Sequence, residues 1–96
     1  MNESIQAFLR SPVVLQRNMG VETILYTNQM EAVHVLNRSA KLIWDLCDGG
    51  HTLAEIEQAV RAQFAVGENV DLYPDIRQAL EALLKKGLVA AVDRAR

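Results

Sequence analysis

The sequence predicts an α+β domain built on the winged helix-turn-helix plan: a three-stranded antiparallel meander followed by three helices. Three observations carry this. Between Val13 and Leu36, three short runs rich in β-branched residues are separated by connections of two or three residues, too short for anything but antiparallel neighbours. From Asn37 onward the apolar residues recur at spacings of three and four, the period of a helix buried on one side. A strand-like run also enters the first helix through Asn37 alone, which leaves little freedom in how the two elements pack.

Residues 1–11 read as an arm ahead of the domain, which spans 12–92, with 93–96 as a tail. Ile5, Phe8 and Leu9 have helical spacing, so the arm is either frayed or a short docking helix of marginal length. Pro12 ends any helix at Ser11, because the residue before proline is pushed toward extended geometry. The strands follow as Val13–Asn18, Val21–Thr27 and Glu31–Leu36, with Met19-Gly20 and Asn28-Gln29-Met30 as turns. In the order one-two-three the third strand lies at an edge.

Asn37 suits the N-cap of the first helix, its side-chain oxygen accepting a backbone N–H one turn on. Ala40, Ile43, Trp44 and Cys47 form its buried stripe, and Gly49 or Gly50 stops it. Thr52 and Glu55 make a T-x-x-E capping box for the second helix, whose inner face is Leu53, Ile56, Val60 and Phe64. The third helix carries Ile76, Leu80, Leu83 and Leu84 as its stripe, Lys85 and Lys86 at the negative end of its dipole and Gly87 as its stop. Two starts are open for it, Asp71 as N-cap or Pro74 as first helical residue, and Tyr73 before the proline favours the second. Leu88–Val92 is a short final strand or a packed tail.

At 96 residues, half of them hydrophobic and 23% charged, the chain has material for one small core. A net charge of −2 argues against general affinity for nucleic acid or an anionic membrane, which needs a basic face. A single cysteine excludes an intrachain disulfide and a thiolate metal cluster. Neither a secretory signal nor an apolar run of about 20 residues is present, and the expected location is cytoplasmic.

Catalytic constellations are poor, and no catalytic, metal or cofactor site is expected. Cys47 lies on the buried stripe, where free cysteine behaves as a small apolar residue. His51 reads as a solvated loop residue, and Cys47 with His51 would give a metal two ligands, short of three or four. Asp45, Asp48, Glu55 and Glu57 are spread over helix faces and a loop, and Gly49-Gly50 lacks the following Lys-Ser/Thr of a phosphate loop. Trp44, with its helical companions, is core. His34 alternates with Val33 and Val35 and reads as a half-buried, hydrogen-bonded strand residue.

What remains is the edge. Glu31–Leu36 has one charge, at its start, and no proline, whereas natural edge strands are normally blunted by charges, proline or a cover. Two readings follow: the strand takes up an extended peptide as an added strand, or another part of the chain, such as the amino-terminal arm, covers it.

Leu36-Asn37, Ser39-Ala40, Ile43-Trp44, Leu46 and Asp48-Gly49 resemble the LN-x-[ST]-[AG]-x-x-[IV]-W-x-L-x-x-G core of PqqD-like proteins. Thr52 to Ile56, Phe64, Asp75-Ile76, Leu80 and Gly87-Leu88-Val89 continue that family's spacing. The resemblance covers about Pro12 to Val89 and tilts the choice. It implies a non-catalytic chaperone, also called a RiPP recognition element, that binds the leader of a ribosomally made precursor peptide along its third strand and against its third helix. Such proteins deliver the leader to a modifying enzyme, often a radical SAM protein, as in biosynthesis of the quinone cofactor PQQ. Carried over, Ala32, Val33, His34, Val35 and Leu36 would pair with the peptide. Ile76, Arg77, Leu80 and Leu84 would line the groove, with Arg77 a partner for acidic leader residues. His34 departs from the family, where this position tends to be aliphatic or aromatic. The competing readings are a winged-helix DNA-binding regulator and a scaffolding subunit of a larger enzyme. For the former, Asp75, Arg77, Gln78 and Glu81 give the third helix the wrong charge for phosphate.

Overall fold

The computed structural model describes residues 6–27 and 34–93. Gln6–Arg10 (β1) opens the described chain, and Leu15–Met19 (β2), Glu22–Tyr26 (β3) and His34–Leu36 (β4) follow. Three helices come next, Arg38–Asp45 (α1), Leu53–Gln63 (α2) and Tyr73–Lys85 (α3), and Val89–Asp93 (β5) ends the fold. The expected α+β meander with three helices is present: β2, β3 and β4 form an antiparallel sheet in that order. Met19 pairs with Glu22 across a two-residue turn in which Gly20 has φ +84°, a hairpin position that favours glycine.

The amino-terminal segment departs from expectation. Gln6–Arg10 is a strand, not a helix or a loose arm, and it pairs antiparallel with Val89–Asp93, from Gln6 opposite Asp93 to Arg10 opposite Val89. Ala7 and Phe8 are buried, so this segment belongs to the folded unit. The helical spacing of Ile5, Phe8 and Leu9 misleads because so short a segment is decided by its partner, which lies some eighty residues away, at the other end of the chain. The same pairing settles the carboxyl-terminal choice: residues 89–93 are a strand.

β1 also explains why α1 stops at Asp45, before the two glycines. The Arg10 guanidinium donates to the carbonyl oxygens of Trp44 and Asp45 at 2.9 and 2.7 Å, and its backbone N–H donates to Cys47 at 2.9 Å. The last carbonyls of a helix have no partner within it, and here β1 supplies one. Gly49 then turns with φ +83° and donates its N–H to the Phe8 carbonyl at 2.7 Å.

The caps otherwise follow the sequence. Asn37 accepts from the Ala40 N–H at 2.9 Å, and Thr52 and Glu55 exchange both bonds of a capping box. α3 begins at Tyr73, with Leu72 as N-cap and no side-chain cap; Asp71 accepts from the Tyr73 N–H at 3.1 Å. The helix thus starts between the two expected positions. Leu25, Leu36, Ile43, Trp44, Ile56, Leu80, Leu83 and Leu88 fill the core between the meander and the helices. Trp44 is buried, and its indole N–H donates to the Gln16 side chain at 2.8 Å, satisfying the polar handle of an otherwise apolar anchor.

Candidate functional site

β4 is the open edge of its sheet: β3 occupies one side, and among the described residues no strand occupies the other. Alternation turns His34 and Leu36 toward the helices and Val35 away from them. Leu36 is sealed in the core, His34 is half-buried and Val35 is exposed. Ala32 and Val33, also expected to take part, lie outside the described residues.

α3 packs on α1, α2 and β5 and reaches β4 through a side chain. Lys86, at its C-terminal end, lies 2.9 Å from His34 Nδ1. An ammonium group has no acceptor, so Lys86 donates and the His34 nitrogen accepts, which requires a neutral imidazole. Burial first, and then the charge of Lys86, hold His34 below its usual pKa of 6.5. At the other end of β4, just past Leu36, a cavity of about 340 Å³ opens between the beginnings of α1 and α3. Its walls include Ala40, Ile43, Val60, Phe64, Ile76 and Ala79, with Asn37 and Asp75 at the polar edge. Arg38 lies next to Asn37 but lines a separate hollow with Val21 and Glu22.

Asp75, Ala79 and Lys86 fall on one row of α3, with Ala82 completing it at spacings of four, three and four. Lys86 of this row meets β4 at His34, while Asp75 and Ala79 line the cavity past Leu36. Of the four α3 residues expected there, Ile76 reaches the cavity while also sitting in the core. Arg77, Leu80 and Leu84 line a different hollow, of about 210 Å³, against Gln6, Phe8 and Leu53. Arg77 is already engaged there, donating to Glu81 and to the Tyr73 hydroxyl, each at 2.9 Å. The structure therefore turns Arg77 away from β4. Ile76, Leu80 and Leu84 belong to the apolar stripe, and of these Ile76 and Leu80 are buried in the core.

The other titratable groups are structural. Cys47 is fully buried, its thiol donates to the Ile43 carbonyl at 3.2 Å, and burial pushes its pKa up to about 12; it is not a nucleophile at neutral pH. Asp48 and His51 pair at the surface at 2.9 Å, which holds the Asp48 carboxyl below its usual range. Among the described residues no group of three His, Cys, Asp or Glu is placed to hold a metal ion, and no helix is long and apolar enough to cross a membrane.

A family model described as Coenzyme PQQ synthesis protein D (PqqD) matches residues 22–89, most of the chain and both walls of the site. The chain belongs to the PqqD family. Among solved structures this PqqD-family chain is similar to TbiB1 in complex with the TbiA(beta) leader peptide, at 27% identity and a TM-score of 0.67, with 84% of this chain and 93% of that chain covered. It is also similar to the heterocyclase TruD, at 19% identity and a TM-score of 0.62, over 91% of this chain and 12% of that one; this second likeness is one of fold alone. No curated protein sequence matches the chain.

Proposed function

We propose that this PqqD-family chain is a non-catalytic chaperone that captures the leader of a ribosomally made precursor peptide as an added strand on β4. His34, Val35 and Leu36 supply the backbone pairing, extended by Ala32 and Val33, while the Asp75–Lys86 row of α3 and the cavity beside Asn37 receive side chains. The observation that carries the reading is the open edge of β4 beside that cavity. Strand addition draws affinity from the main chain and selection from side-chain pockets, and both parts are present. The likeness to TbiB1, bound in its structure to a leader peptide, supports the same reading. Gln6–Arg10, the described part of the amino-terminal arm, pairs with β5 and not with β4. The captured leader is then presented to a modifying enzyme, with a radical SAM protein the partner the family resemblance implies, in the cytoplasm.

The test is a titration of the ¹⁵N-labelled chain with peptides tiling the short open reading frames beside its gene, against duplex DNA as the control. Saturable shifts in the β4 amides with a leader peptide are expected. Salt-dependent binding of DNA, with every peptide silent, would replace this reading by the regulator.

A further inference from the structure

Resting on the peptide-capture reading, we propose that His34 and Lys86 form a carboxylate-recognising end of the groove, which selects leaders carrying an Asp or Glu at one fixed register on β4. The two side chains meet across the gap between β4 and α3, one from the first described strand residue and one from the C-terminal end of the helix. In the unbound chain the Lys86 ammonium spends one donor on a neutral imidazole and has two left. A carboxylate at this position accepts from Lys86 and, once His34 is protonated, from the imidazole as well. Charge-assisted bonds of this kind are stronger than the neutral ones they replace.

The rest of the groove restricts where such a residue fits. His34 lies opposite Leu25 of β3, with Gln16 of β2 beyond it, and the charge acting on it is that of Lys86 from α3. At the far end of the row stands Asp75, at the edge of the apolar cavity, where a second carboxylate repels the leader's. The groove is thus polarised, basic where β4 begins and acidic with an apolar hollow where it ends. An extended strand rises about 3.3 Å per residue and shows alternate side chains to one face. The acidic residue and the large apolar residue entering the cavity should therefore stand an even number of positions apart. Arg77, which the sequence offered for this role, is on the other side of the helix.

Binding is also linked to protons. A leader carboxylate beside His34 raises the pKa that burial and Lys86 now depress. The complex then takes up a proton, and affinity rises as pH falls through the pKa of His34 in the complex. The gain is complete below the pKa of the free chain and absent above that of the complex.

The experiment is a phage-display selection of random twelve-residue peptides on the purified full chain, followed by calorimetry of the synthetic winner with its acidic residue intact or changed to Gln. Winners should share one acidic position, and the Glu form should bind about fivefold more tightly than the Gln form. In the exposed-residue variant Lys86→Met this preference should fall below about twofold. In His34→Phe the pH dependence should vanish, and the His34 ring resonances of the parent chain should shift toward the protonated form only with the Glu peptide. Winners that bind at β4 without a shared acid, or a preference that survives Lys86→Met, overturn this inference and leave peptide capture standing. Selection of no peptide that shifts the β4 amides overturns both.

Discussion

α3 presents two rows of side chains to two very different surroundings. On one, Arg77, Leu80 and Leu84 lie against Gln6 and Phe8 of β1, a strand paired with β5. On the other, Asp75 and Ala79 line the cavity past Leu36 and Lys86 meets His34 of β4, whose outer edge has no partner among the described residues. The first row carries large apolar groups and an arginine engaged by its own helix neighbours. The second is small in the middle and charged at both ends. Large side chains fill space and so mark where the chain packs on itself. Small ones leave space, and the proposed groove runs along them.

The largest effect that separates the rows is on stability. Leu80 is buried in the core, and Leu80→Ala should cost about 2–5 kcal/mol in urea unfolding, because the helix and sheet around it collapse only partly into the void. Next comes the row facing β4. Ala79 lines the cavity and is only partly buried, so Ala79→Leu should change stability by less than about 1 kcal/mol. It should nonetheless weaken a captured leader about tenfold by occupying the hollow. Loss of stability without loss of capacity to bind in the second variant would mean that Ala79 belongs to the packed face, and the distinction between the rows would fail.

A smaller effect concerns His34 in the free chain. Its pKa is lower folded than unfolded, so below about pH 6.5 the unfolded chain binds the extra proton first. Stability should therefore decline as pH falls from 6.5 to the folded pKa, then level off, and His34→Phe should remove that decline. Equal pH profiles for the parent and the variant would show that the imidazole does not feel the Lys86 end of the groove.

Much of this architecture was legible in the sequence because it is written locally. The Thr52–Glu55 capping box, the Asn37 cap and the alternation of β3 each depend on residues within a few positions of one another. What escaped was what depends on distant partners. Gln6–Arg10 becomes a strand because Val89–Asp93 is there to pair with it, and α1 ends early because Arg10 reaches its last carbonyls. The site shows the same division. The edge strand was visible, but which side of α3 faces it was not, since helical periodicity separates buried from exposed without naming the neighbour. The Lys86–His34 contact spans 52 residues and has no local signature.

The smallest expected effect is the one that most directly tests the assignment of faces. If Arg77 served the leader, Arg77→Glu would set a negative charge against an acidic peptide and weaken it several-fold. In the structure Arg77 instead bonds Tyr73 and Glu81 at an exposed position, over the Tyr73 ring. Asp75 and Ala79 lie two residues to either side of it, about 200° around the helix. Its replacement removes an attractive i,i+4 pair and creates a repulsive one with Glu81, a small and salt-sensitive cost borne by the helix. Leader affinity should stay within about twofold of the parent, and the residual change should disappear at high salt, because charges separated by the width of a helix are screened over about 10 Å at 0.1 M salt. A several-fold loss that persists in salt would mean direct contact, and the leader would then lie against β1 and not β4.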